Sequence, residues 1–325
     1  MKRLRFDGFF TIYHLLDYLD CPKKFYFRYL LKIPEKRISL SAITKKAIMN
    51  ALNQSEKDIS SILKQIKSQI EVMISSYREK NIDVIGELDL KSIEYMIEGY
   101  FSDPLLRYGK LIIKNEPFTF SIRPGKKRYW LKGKSGEVFL ISKKDFIYLF
   151  PNFDINMLPN KDEIMIHRIV KTGVKKATSK IELAINEEIS FNAYGLAFSD
   201  KKIVPDLHAL YFLYDHIPYK DDRGIYLKDK NGNYIPCDIV KVPCKIGKKG
   251  EICKGKKSYC TKQKRGNVYY FTTRDIKRLK HIPREMMEIC ASIRKADYPR
   301  RAGILCFGYC GYKDICFKEA MGDFL

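Results

Sequence analysis

Apolar residues fall at helical spacing through the first third of the chain and at strand spacing through much of the rest. Residues 10–33 place Tyr13, Leu16, Tyr18 and Leu19 on a helix, followed by a Cys21-Pro22 break and the run Phe25-Tyr-Phe-Arg-Tyr-Leu-Leu31. Proline suits a first helical turn, so a second helix is expected to open there. Residues 40–102 hold three more periodic stretches separated by Lys and Glu, which predict a helical bundle or lid. Near Leu111 the period drops to two. Leu111-Ile-Ile-Lys, Phe118-Thr-Phe-Ser-Ile, Tyr129-Trp-Leu, Val138-Phe-Leu-Ile and Ile164-Met-Ile-His-Arg-Ile-Val170 predict a meander of strands. A helix is expected over residues 180–197, a buried strand over Leu207 to Tyr214, a strand at Val268-Tyr-Tyr-Phe271 and an amphipathic helix over residues 273–296. Residues 217–266 are rich in Lys, Gly and Cys and interrupt this pattern as an insertion. The order predicts an α/β protein with a helical N-terminal region.

Charge changes the picture more than size does. The 325 residues carry 61 Lys and Arg against 38 Asp and Glu, a formal charge of +23. Such a field attracts polyanions, with phosphate backbones the usual partner; the bland alternative is a solvated Lys-rich surface. A lipid partner is disfavoured, because no basic amphipathic helix has a clean apolar face. Apolar runs such as Ile203 to Tyr214 stop well short of the ~20 residues that span a bilayer, and the first residues lack a signal-peptide core. The expectation is a cytoplasmic protein with no membrane partner.

Nine cysteines then point to metal rather than disulfides. Cys306-Phe-Gly-Tyr-Cys310-Gly-Tyr-Lys-Asp-Ile-Cys316 brings three thiols close in sequence. A tetrahedral or cubane centre needs a fourth, and Cys21 is the best candidate; zinc and an iron–sulfur cluster both suit four thiolates. Cys237, Cys244, Cys253 and Cys260 form a second group inside the insertion, where residues 245–265 hold nine basic residues and one acidic residue. So polar a loop lacks a core of its own, and zinc there would let it fold. Its Lys248, Lys249, Lys256, Lys257, Lys262, Lys264 and Arg265 are candidate phosphate contacts, and Tyr259, Tyr269 and Tyr270 candidate stacking rings. Cys290 reads as a core residue.

Leu16-Asp-Tyr-Leu-Asp-Cys21-Pro-Lys-Lys-Phe25-Tyr-Phe-Arg-Tyr-Leu30, paired with the cysteine segment ending Gly-Tyr-Lys-Asp-Ile-Cys316, resembles the iron–sulfur RecB-like nucleases, including the CRISPR-associated RecB-like exonucleases and AddB-type helicase–nuclease subunits. The resemblance covers the two ends well and the middle weakly. It implies a PD-(D/E)XK (restriction-endonuclease-like) core sheet flanked by helices, and a [4Fe–4S] cluster on Cys21, Cys306, Cys310 and Cys316. The three-then-five spacing here departs slightly from that family's two-then-five. The implied organisation is a helical region over 1–105, a nuclease core over 106–216 and 267–300, the insertion over 217–266 and the cysteine segment over 301–325.

That family also implies a His in an early helix, an Asp on a strand after a Gly, an Asp/Glu-x-Lys on the next strand and a Gln-x-x-x-Tyr on the following helix, which together hold Mg²⁺ or Mn²⁺. Here His167-Arg-Ile-Val-Lys171-Thr-Gly173 keeps the Lys but has Ile169 for the carboxylate. Trp130-Leu-Lys-Gly133-Lys-Ser-Gly136-Glu137 has Gly136 for the Asp, with Glu137 one residue off and hence on the opposite face. Ser190 stands for the Gln while Tyr194 is kept, and Ala47 stands for the His. The expectation is a nucleic-acid-binding iron–sulfur protein, with DNA its partner, whose catalytic Lys171 is vestigial and which serves in a DNA-processing or CRISPR-type complex. Lys171 and Tyr194 join the nucleic-acid-binding candidates. The alternative is an active metal-dependent exonuclease with relocated ligands, for which Asp206, His208, Glu187 and Glu188 are the candidates; an electron-transfer role ranks third.

Overall fold

The computed structural model describes residues 6, 8–54, 58–123, 128–151, 153–172, 186–217, 269–274, 279–301, 306 and 310–321. A short strand, β1 (Phe10–Thr11), leads into α1 (Ile12–Asp20). The Thr11 hydroxyl accepts from the His14 amide and the His14 ring accepts from the Thr11 amide, so two exposed helix-end donors are satisfied reciprocally. Cys21 breaks the helix in extended backbone, and Pro22 opens α2 (Pro22–Phe25), which runs into a π-helical turn over Tyr26–Leu30. The helical region follows as expected. It contains α3 (Leu40–Leu52), α4 (Ile59–Glu79) and α5 (Leu90–Phe101), capped by Ser39, Asp58 and Asp89. Helix α4 buries Ile62, Ile66 and Ile70 at four-residue spacing, in one core with Ala47, Ile48 and Ile97. Two short parallel strands, β2 (Arg37–Ser39) and β3 (Asp83–Ile85), flank it; their three residues each are too few to show a period.

The central strands form two sheets rather than the single expected meander. Following α6 (Pro104–Tyr108), strands β4 (Lys110–Lys114), β7 (Glu137–Ser142), β8 (Glu163–Lys171), β9 (Leu207–Phe212) and β10 (Tyr269–Thr272) lie in the order β10-β9-β8-β7-β4. β5 (Pro117–Ile122) and β6 (Tyr129–Lys134) leave that sheet and pair with each other, and β6 also takes β1 as a parallel neighbour. The first strand therefore belongs to a sheet completed more than 100 residues later, which no local periodicity reveals. β8 runs antiparallel to β7 and parallel to β9, and all six residues of β9 are buried. Continuous burial is what a parallel strand covered on both faces requires.

Helix α8 (Glu187–Phe198) ties the two sheets together. Its Ile189 packs with Leu210 and Phe212 of the larger sheet, while Phe191, Ala193 and Leu196 join Phe118, Phe120 and Leu131 of the smaller one. This second core also takes Ile12 and Leu15 from α1, and Met286, Cys290 and Ile293 from α9 (Ile282–Arg294). Cys290 is fully buried, as read from its helical pattern. α9 starts later than residue 273 because Pro283 fits only a first turn. A helix that the strand pattern hid, α7 (Lys143–Leu149), opens directly after β7, with Ser142 and Asp145 bonding across its first turn. The last described helix is α10 (Lys313–Ala320). The chain is thus a mixed α/β protein with several sheets, and among the described residues no helix is long and apolar enough to cross a membrane.

Candidate functional site

β8 presents two different chemistries on its two faces. Lys171, at its end, forms an ion pair with Glu188 in the first turn of α8. Lys45 of α3 lies in the same neighbourhood: burial lowers its ammonium pKa, the Lys171 charge lowers it further, and Glu188 opposes both. Two lysines and one carboxylate make a net cationic cluster. Sequence reasoning named Lys171 and Glu188 but not Lys45, which the Ile43-Thr44-Lys45-Lys46-Ala47 segment carries two residues before the buried Ala47.

Among the described residues, the positions that the resemblance assigns to carboxylates do not add one beside Lys171, for a steric and an electrostatic reason. Gly136 has φ +62°, and a Cβ there would lie 2.6 Å from the Arg168 carbonyl oxygen. A side chain at that position would have to displace β8 itself. Glu137 is on the other face of the sheet, where it is paired across the strands with Arg168. Ile169 holds the remaining position and packs with Ile189 and Leu210. Asp206 accepts from the Met165 amide at 2.8 Å and pairs with Lys161 at 2.7 Å, so it sits near the opposite end of β8 from Lys171. His208 is buried against His167, with Nδ1 atoms 2.8 Å apart. Among the described residues, Glu188 is the carboxylate paired with Lys171, while Asp206 and His208 are engaged elsewhere.

The opposite face of β8 carries a buried ionic network that the sequence pattern concealed. Arg168 is fully buried; its Nε donates to Glu137 at 2.8 Å, one Nη donates to the Tyr269 hydroxyl at 2.6 Å, and the same nitrogen pairs with Asp103. Its guanidinium lies 4.6 Å from the Tyr211 ring centroid and 4.7 Å from that of Phe139. Tyr100 donates to Glu137, and Tyr269 donates to Asp103 at 2.6 Å. Burial pushes the Asp103 carboxyl up, and Arg168 is the main opposing influence. An arginine inside an apolar run, Ile166-His-Arg-Ile-Val170, was the available signal. Tyr269 is consumed here, and Tyr270 packs edge-on against Phe212. Burial lowers His167 to about 4, partly opposed by the Ser135 backbone, and holds His208 well below its ordinary value with help from the neighbouring His167 and Arg274. Tyr194 is half-buried between Phe120 and Phe198, and the Ser190 hydroxyl accepts from Arg274 at 3.2 Å.

Cys21 and the C-terminal cysteines influence one another electrostatically. Burial raises the Cys310 thiol, with the Tyr312 backbone and Lys24 opposing it and Cys306 and Cys21 adding to the rise. Burial likewise raises Cys316, Arg300 opposes, and Cys21 again adds. Cys21 thus acts on two members of the trio across some 290 residues of sequence. Around them Lys23 pairs with Glu319 at 2.5 Å, Arg300 with Glu319 at 3.1 Å, Tyr18 donates to the Asp297 carbonyl at 2.6 Å and Tyr312 to the Ile33 carbonyl at 2.9 Å. All four are free thiols, and among the described residues no group of three or more His, Cys, Asp or Glu is gathered as a metal site. The donor set fits a thiolate-ligated centre in number and softness, and nearby Lys24 and Arg300 favour thiolates. Cys237, Cys244, Cys253, Cys260, Lys248, Lys249, Lys256, Lys257, Tyr259, Lys262, Lys264 and Arg265 lie outside the described residues.

No family model matches this chain. A search of curated proteins likewise finds no match. Among solved structures, one described as "Crystal structure of SSO0001" aligns over 94% of this chain and 94% of its own length, at 11% identity and a TM-score of 0.29.

Proposed function

We propose that this chain binds nucleic acid on a RecB-like nuclease frame whose catalytic metal site is lost. The observation that carries the reading is the setting of Lys171: Gly136 has no room for a side chain, Glu137 is held by Arg168 on the far face, and among the described residues Glu188 is the one carboxylate paired with the lysine. A divalent ion needs several oxygen ligands, and one carboxylate already neutralised by an ammonium is a poor start. The order of the elements supports the frame: helix α3, strand β7 opening just after Gly136, strand β8 ending at Lys171, helix α8 with Tyr194, then β9 parallel to β8. The charge of +23 supports a phosphate-bearing partner.

In this reading Cys21, Cys306, Cys310 and Cys316 hold a [4Fe–4S] cluster that cross-links the first helices to the last. Incubation of anaerobically purified protein with end-labelled single- and double-stranded DNA, with and without Mg²⁺ or Mn²⁺, tests the loss of chemistry. Binding that weakens steeply with salt and no metal-dependent cleavage is expected. Cleavage abolished by Lys171→Ala overturns the proposal.

A further inference from the structure

We propose that the outer face of the three-stranded sheet is the seat for unpaired bases, so that the preferred partner is single-stranded nucleic acid. This deepens the nucleic-acid-binding reading above and rests on it.

Alternation along the strands separates two faces. Tyr129 and Leu131 of β6, Phe118, Phe120 and Ile122 of β5, and Phe10 of β1 point into the core. Trp130, Lys132 and Lys134 of β6, with Thr119 of β5, point outward, and Phe9 stands beside them just before β1. Trp130 is 43% exposed and Phe9 is 60% exposed, although a core lies one residue away for each. Each ring carries a cation: the Arg128 guanidinium lies 4.9 Å from the Trp130 centroid, and the Lys132 ammonium 4.8 Å from that of Phe9. Strand register sets Lys132 between Thr11 and Thr119, and Trp130 beside Ser121. The carboxylate at the edge, Glu116, is paired with Lys201.

Flat aromatic faces interleaved with lysine and arginine on an open sheet suit a strand whose bases stack while its phosphates meet the cations. A protein partner with an apolar face is a poorer match, because the rings are flanked by charge rather than by further apolar side chains. A duplex is also a poorer match, since its base faces are hidden within the stack.

Trp130 is the sole tryptophan of the chain, so its emission reports this face alone. The experiment titrates the full-length protein with a single-stranded oligo(dT) and with a duplex of equal charge. Trp130 emission and the anisotropy of labelled oligonucleotide are recorded together. The expected result is saturable quenching by the single strand and little by the duplex. Trp130→Ala is expected to weaken oligo(dT) binding roughly 5- to 150-fold, with Trp130→Phe restoring most of it. Lys132→Ala/Lys134→Ala should reduce the salt slope by about 0.7 for each lysine in contact with phosphate. Binding with unchanged emission and an unaffected Trp130→Ala variant refutes the sheet face and leaves the nucleic-acid reading standing. Absence of binding at low salt refutes both.

Discussion

Arg168→Met is the most direct test of the buried network. The exchange keeps an unbranched apolar stem and deletes the charge that faces Asp103 and Glu137, each 1% exposed. Breaking a buried ion pair by removing one partner typically costs about 3–5 kcal/mol, because the abandoned charge stays buried. Two carboxylates share this arginine, so a loss at the upper end of that range is expected at pH 8, a large part of the ~5–15 kcal/mol that holds most domains folded. The sign of the pH dependence follows. Burial already raises Asp103 and Arg168 is the main restraint, so the variant should hold Asp103 protonated to higher pH than the unfolded chain does. A raised acid pKa in the fold gives stability present at low pH and lost as pH rises. Urea unfolding of both proteins between pH 5.5 and 8.5 should therefore show a gap that narrows toward acid, with Asp103→Asn partly rescuing Arg168→Met. A loss below about 1 kcal/mol, or a gap independent of pH, refutes the argument that Arg168 restrains the rise of the Asp103 carboxyl.

The histidines give the opposite trend in the parent protein. Burial lowers His167 and His216 to about 4 each, so both are neutral in the fold while the unfolded chain protonates near 6.5. Stability present above pH 6.5 should fall as pH drops toward 4, by about 2 kcal/mol for each of the two at pH 5; a thermal midpoint that stays flat from pH 7 to 5 contradicts this. Gly136→Ala should destabilise by about 2 kcal/mol or more through its left-handed backbone and the Arg168 carbonyl contact, read by urea midpoint, and Gly136→Asp should not create metal-dependent cleavage. Cys21→Ser should strip iron from anaerobically purified protein that otherwise carries roughly four per chain, whereas Cys290→Ser should leave iron content unchanged. Equal iron in both variants removes Cys21 from the ligand set.

What the sequence disclosed depended on the range of each interaction. Pro22, the Ile62-Ile66-Ile70 stripe and the alternation of β5 act locally, and each was legible from spacing. So was Cys290, whose neighbours share a helical face. The pairing of β1 with β6 was invisible, because its two residues carry no period and their partner lies more than 100 residues on. Lys171 was identifiable by its context, but not its pairing with Glu188 or the approach of Lys45. Arg168 in an apolar strand announced an unusual environment, yet Asp103 and Tyr269, separated from it by 65 and 101 residues, could only be found in three dimensions. Trp130 was read as part of a strand; which face it occupied required knowing that β6 has left the main sheet.

The docking of α1 and α2 on late segments has a consequence for biosynthesis. Lys23 waits for a partner, Glu319, that is 296 positions downstream. At bacterial-like elongation rates that interval is on the order of 15–60 s. For most of it, the apolar side of α1 lacks α9, although β6 has already emerged. In-frame truncation products lacking the final hundred residues would keep that side uncovered and should be cleared by proteases rather than accumulate.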